Sequence, residues 1–117
     1  MEPIRRSLYL ADAEATDRLG RALAQRLGPG DALLLEGAIG AGKTHLARAI
    51  IRAALATAGE PPEEVPSPTF TLVQTYRAGA LEIWHADLYR LADPGEVQEH
   101  GLTEAFGRAL CLVEWAD

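Results

Sequence analysis

Residues 37–44 read Gly37-Ala38-Ile39-Gly40-Ala41-Gly42-Lys43-Thr44 and satisfy the spacing G-x-x-x-x-G-K-[ST], in which each residue type has its own task on a phosphate chain. Gly37, Gly40 and Gly42 permit backbone angles and close approaches that side chains forbid, so successive N–H groups, those of Ile39, Ala41 and His45 included, can surround phosphate oxygens. Lys43 would reach the β- and γ-phosphates and serve turnover, and the Thr44 hydroxyl would coordinate Mg2+. Lys43 is also the one lysine among eleven basic residues, and it stands where a flexible point charge suits phosphate better than a planar guanidinium. A chance match in a chain this long is on the order of a few per thousand. The alternative, a glycine-rich turn that merely feeds a helix, is the weaker reading.

A phosphate cradle of this kind needs an acid for the metal or its waters, set at the end of a neighbouring strand. Glu114, directly after the apolar run LCLV, fits that place. Asp87, at the end of the run ALEIWHAD, is the second acid and could orient an attacking water. His85 lies two positions earlier on the same strand face, within reach of the same site, although a satisfied structural histidine is the better reading of it. Ser67 and Thr69 place hydroxyls between prolines and a strand, as a loop closing over a γ-phosphate would need. Arg90 and Arg77 could neutralise phosphate or meet a partner, while His45 and His100 carry less weight.

These residues need a scaffold. A strand is expected over 4–10, then Asp12 caps a helix over 13–27 with Ala15, Leu19, Leu23 and Leu27 in a row and Gly28 closing it. Pro29, Gly30 and Asp31 turn into ALLLE, whose unbroken apolar run predicts a strand buried on both faces. A helix follows from Thr44 to about Gly59, with the proline-rich stretch GEPPEEVPSP as an exposed, mobile linker after it. TFTLVQTY and ALEIWHADLY predict a hairpin turning across Arg77, Ala78 and Gly79. Asp93, Pro94 and Glu96 spell the start of a short helix ended by Gly101, and ALCLVE is a last buried strand. The fold class expected is α/β: a P-loop NTPase fold with a mixed central sheet flanked by helices.

The chain of 117 residues, 48% hydrophobic and 24% charged, has the composition of one globular domain. Its formal charge of −6 opposes direct, sequence-independent binding to a nucleic-acid backbone. The lone Cys111 sits inside LCLV and reads as a buried thiol. No apolar run approaches a membrane span, and the N-terminus lacks a signal-peptide pattern, so a cytoplasmic protein with no membrane partner is expected.

Four stretches together, LEGAIGAGKT, SPTFTLVQTY, HADLYRLADPGE with the following Gly101-Leu102, and LVEW, resemble one family: the bacterial ATPases of tRNA threonylcarbamoyladenosine biosynthesis, TsaE, earlier YjeE. The resemblance implies a small ATPase that binds ATP and Mg2+. It implies two partners, TsaD-like and TsaB-like threonylcarbamoyl transfer proteins, with tRNA reached indirectly through that complex. The modified base would be adenosine 37 of tRNAs reading ANN codons. Carried over residue by residue, the P-loop roles fall on Gly40, Gly42, Lys43 and Thr44, the metal acid on Glu114 and the catalytic or switch aspartate on Asp87. Ser67 and Thr69 match the switch-like segment, and Ala13 and Thr16, from AEAT, match a stretch near the adenine. His45 replaces a second threonine common in the family, so it offers a backbone N–H but no hydroxyl to the α-phosphate. Members of the family continue through further strands beyond the position of Trp115, so a single P-loop domain over 1–117, shorter than its relatives, is expected.

Two readings compete. One is an assembly module in which ATP occupancy, and not turnover, regulates a complex. The other, a small-molecule kinase, lacks the basic lid such enzymes carry. A GTPase would need an N-K-x-D segment, which the sequence does not contain, so adenine is preferred.

Overall fold

The computed structural model describes residues 10–37, 42–68, 73–87 and 101–115. The expected strand over 4–10, apart from Leu10, and the expected helix after Asp93 lie outside them.

Helix α1 (Ala13–Arg26) begins where expected: Asp12 is its N-cap, and an Asp12 carboxylate oxygen accepts from the Ala15 N–H at 2.8 Å. Its innermost line is Thr16 and Gly20, with Leu23, Ala24 and Leu27 half-buried beside it; the expected row Ala15, Leu19, Leu23, Leu27 flanks this line. Thr16 and Gly20 turn inward because α2 (Lys43–Thr57) crosses there. A Cβ on Gly20 would lie 2.5 Å from the Ala49 methyl, so the crossing is closer than any other residue would allow. After α1, Asp31 accepts from the Gly28 N–H at 2.8 Å and Gly30 adopts φ +86°, turning the chain into β1 (Ala32–Glu36).

Four strands form one sheet in the order β1-β4-β3-β2, with β2 (Val73–Ala78), β3 (Leu81–Asp87) and β4 (Leu110–Trp115). β1 and β3 pair parallel with β4, while β2 pairs antiparallel with β3, so the sheet is mixed as expected. The hairpin turn is tighter than the sequence suggests. Arg77 and Ala78 remain in β2, Ala78 pairs with Leu81, and only Gly79 and Ala80 form the turn, with Gly79 at φ +63°.

The strand buried on both faces is β4, not β1. Leu110, Leu112 and Ile83 pack on Ala47, Ile50 and Ile51 of α2, whereas Cys111, Val113 and Ala86 pack on the other face against Leu102, Ala105 and Ala109. Leu102 and Ala105 bound a short helix, α3 (Leu102–Ala105), which Gly101 opens at φ +78°. Burial pushes the Cys111 thiol up to about 11, as its place in the core requires. β1 has one strand neighbour among the described residues, and its alternate side chains are exposed, Leu34 by 56%. An apolar run cannot by itself distinguish an edge from a centre.

The proline-rich segment after α2 is not wholly exposed either. Val65 and Pro68 are buried, and Arg48 of α2 donates from Nε to the Val65 carbonyl at 2.8 Å, fastening the segment to the helix. Among the described residues no helix is long and apolar enough to cross a membrane.

Candidate functional site

The parallel strands β1, β4 and β3 all point their C-terminal ends toward the start of α2, the arrangement in which α/β sheets hold ligands. β1 ends at Glu36, the chain passes Gly37 at φ +152°, and α2 opens at Gly42, whose φ of +94° favours glycine. No side chain caps this helix, so its first N–H groups and its positive dipole end are offered to the loop. Lys43 Nζ donates to the Gly37 carbonyl at 2.5 Å and bridges the two ends of the loop. Ile39, Gly40 and Ala41, expected to add backbone donors, lie outside the described residues.

Thr44 faces the sheet. Its hydroxyl donates to Oε1 of Glu114 at 2.6 Å, joining the helix start to the end of the central strand across seventy residues of sequence. The other carboxylate oxygen, Oε2, meets His85 Nε2 at 2.5 Å. Glu114 is 7% exposed and His85 fully buried. Burial raises the Glu114 pKa, but the hydrogen bonds from His85 and Thr44, with the charge of Lys43, outweigh it and hold the carboxyl below its usual range. Glu114 is therefore an anion at neutral pH. Asp87 lies beside it: Asp87 and Glu114 are register partners on β3 and β4, and His85 is two residues back on the same face. The sequence ranked His85 below Asp87, yet the structure binds it directly to the expected metal acid.

Other expected residues fall around this centre. The His45 imidazole meets the Asp17 carboxylate of α1 at 3.0 Å, which brings the first turns of α1 and α2 together. Its side chain thus faces α1, in a groove of about 370 Å3 shared with Arg21 and Arg48. Thr16 is buried and donates its hydroxyl to the Asp12 carbonyl at 3.3 Å, while Ala13 is exposed at the head of α1. The Ser67 carbonyl accepts from the Gln74 side chain at 3.1 Å. Thr69, Arg90 and His100 lie outside the described residues. Arg77 is separated from the site: it pairs with Glu82 near the hairpin turn, roughly 17 Å along β3 from Asp87 at the usual strand rise. A phosphate role for it does not fit.

The donors present suit a nucleotide phosphate with a hard cation. One hydroxyl, one carboxylate and a lysine stand at a helix N-terminus, and the described residues hold no group of three or more His, Cys, Asp or Glu that could cage a metal on its own. An ion here would take its remaining ligands from phosphate and water, as Mg2+ does.

The family described as "Threonylcarbamoyl adenosine biosynthesis protein TsaE" matches residues 10–117. The chain belongs to the TsaE family. Among curated TsaE proteins, that of Rickettsia felis is 44% identical over 94% of this chain and 62% of its own length. That of Bacillus subtilis is 40% identical over 88% of this chain and 61% of its own. The chain thus spans about three-fifths of the length of these relatives. The crystal structure of Bacillus subtilis YdiB superposes with a TM-score of 0.67 at 34% identity, covering 90% of this chain and 60% of that one. Like this TsaE neighbour, the chain has the P-loop NTPase fold: a mixed sheet flanked by helices, with the phosphate motif between β1 and α2.

Proposed function

We propose that this TsaE chain binds ATP with Mg2+ and hydrolyses it in tRNA threonylcarbamoyladenosine biosynthesis. It would act as one P-loop domain, in the cytoplasm, with TsaD-like and TsaB-like partners. The substrate of the assembly is adenosine 37 of tRNAs reading ANN codons, which this chain meets through the complex and not by its own acidic surface. The observation that carries the reading is the hydrogen bond from Thr44 to Glu114, which sets a hydroxyl and an anionic carboxylate together at the head of the P-loop helix. The relatives' names, which assign those proteins to threonylcarbamoyladenosine biosynthesis, support the biological setting.

In this reading the Thr44 oxygen keeps a lone pair for the cation while its O–H goes on donating to the Glu114 carboxylate. Bound Mg2+ would neutralise charge on the β- and γ-phosphates. Lys43 leaves the Gly37 carbonyl for phosphate oxygens, a stronger charge-assisted pairing. The α2 N-terminus and the loop N–H groups hold the β-phosphate. Asp87, beside Glu114 at the strand ends, accepts a hydrogen bond from the attacking water and orients it. An acid facing a γ-phosphate gains its value as charge shifts, so Asp87→Asn is expected to slow hydrolysis on the order of a hundredfold while ATP affinity stays within a few-fold.

The deciding experiment combines the protein, ATP, both partners and tRNA, and measures ATP turnover and modified base together. Loss of both with Asp87→Asn at retained affinity is expected. Sustained modification over many rounds without hydrolysis would replace turnover with occupancy as the working principle, and unchanged hydrolysis would remove Asp87 from the chemistry.

A further inference from the structure

His85 is an anomaly in the core. It is fully buried beside Leu112, its register partner on β4, and two residues from Ile83, in a layer built mainly from aliphatic side chains. Among the described residues only one of its ring nitrogens is used: Nε2 meets Glu114, while Nδ1 is buried with no hydrogen-bond partner there. A buried polar atom without a partner opposes folding, and an apolar residue of similar volume would fill the space without that penalty. Packing alone therefore does not account for histidine here.

The geometry accounts for it through Glu114. A proton on Nε2 donates to Oε2 and leaves Nδ1 as a bare lone pair, whereas a proton on Nδ1 would be a buried donor without an acceptor. With Oε2 held by His85 and Oε1 by Thr44, the carboxylate is fixed about its terminal torsion, which is otherwise broad. We infer that His85 is a positioning residue for the nucleotide's cation: by donating to Oε2 it reserves Oε1 of Glu114 for Thr44 and the metal's ligand shell. Carboxylates that serve metals depend on such outer partners for orientation. The inference rests on the ATP-and-Mg2+ reading of the site.

The test compares parent, His85→Leu, which removes the donor and keeps apolar volume, and His85→Gln, whose amide nitrogen can replace Nε2. Affinity for a non-hydrolysable ATP analogue is measured with Mg2+ and with chelator, alongside thermal unfolding of the ligand-free proteins. In His85→Leu the tightening produced by Mg2+ is expected to fall by about tenfold or more, with chelator affinity within twofold of the parent. Its melting temperature is expected to fall, because the buried Glu114 carboxylate loses a donor, and His85→Gln should regain most of the Mg2+ effect. A parental Mg2+ effect in His85→Leu, or equal losses with and without Mg2+, would overturn the positioning role. A parent with no Mg2+ effect would overturn the nucleotide reading and this inference with it. Should His85→Leu not fold, the imidazole 15N spectrum of the parent decides. A proton on Nε2 both without ligand and with Mg2+ and the analogue supports the role, and a proton on Nδ1 or a tautomer change on loading contradicts it.

Discussion

At its first turn α2 meets the sheet through polar atoms, Thr44 on Glu114 with His85 behind; one to three turns along, it meets α1 through bare backbone and methyl groups, Gly20 on Ala49. The first contact buries a charge and an unpartnered nitrogen, features that oppose stability unless they orient something. The second, at Gly20 and Ala49, involves no polar side chain and depends on two helices approaching more closely than a Cβ permits. One helix therefore carries a junction shaped for a ligand and a seam shaped for packing. Substitutions should separate the two, with affinity changing at the junction and stability at the seam.

The largest effect is expected at the junction. Lys43→Ala removes a charge-assisted phosphate contact, so ATP affinity should fall on the order of a hundredfold, about 3 kcal/mol. The melting temperature should hold, because the side chain is only half-buried and bonds to a loop carbonyl. Titration calorimetry beside a thermal scan reads both; equal affinities would remove Lys43 from the cradle. At the seam, Gly20→Ala improves helix propensity by about 1 kcal/mol, yet its methyl would sit 2.5 Å from that of Ala49 and close to the Ala49 and Ile50 backbone. Overpacking of this kind costs roughly 1–3 kcal/mol, so net destabilisation is expected, with ATP affinity within twofold. Denaturant unfolding checks it, and a stabilised variant would show that the seam is looser than described.

The smallest effect concerns pH. Glu114 has a folded-state pKa below its unfolded value of 4.5, so its contribution to stability is complete above about that pH and is lost as pH falls through the folded value. The difference in melting temperature between parent and Glu114→Gln should therefore narrow as pH drops from 6 toward 3. A constant difference would mean that the carboxylate gains nothing from His85 and Thr44.

Much of this was legible in the sequence because it is local. The cap at Asp12, both long helices, the hairpin and the buried β4 are signalled within a few positions of where they act. What was missed depends on pairing across the chain. That, among the described residues, β1 has one strand neighbour and β4 has two follows from sheet order, which ALLLE and LCLV do not encode separately. The anchoring of Val65 and Pro68 depends on Arg48 reaching back from α2. His85 was set aside as structural because its tie to Glu114 exists only once β3 and β4 register Asp87 against Glu114. The spacing of His85, Asp87 and Glu114 from buried strand ends was the signal that could have found it.

The central claim is that Thr44 and Glu114 together serve a cation carried by the nucleotide. Its most direct test is ATP affinity of parent and Glu114→Ala, each measured with Mg2+ and with chelator. The parent is expected to bind more tightly with Mg2+, and Glu114→Ala to lose most of that gain while keeping its chelator affinity within twofold. An identical loss in both conditions would contradict the claim, because it would place Glu114 on the phosphate or the fold and not on the metal.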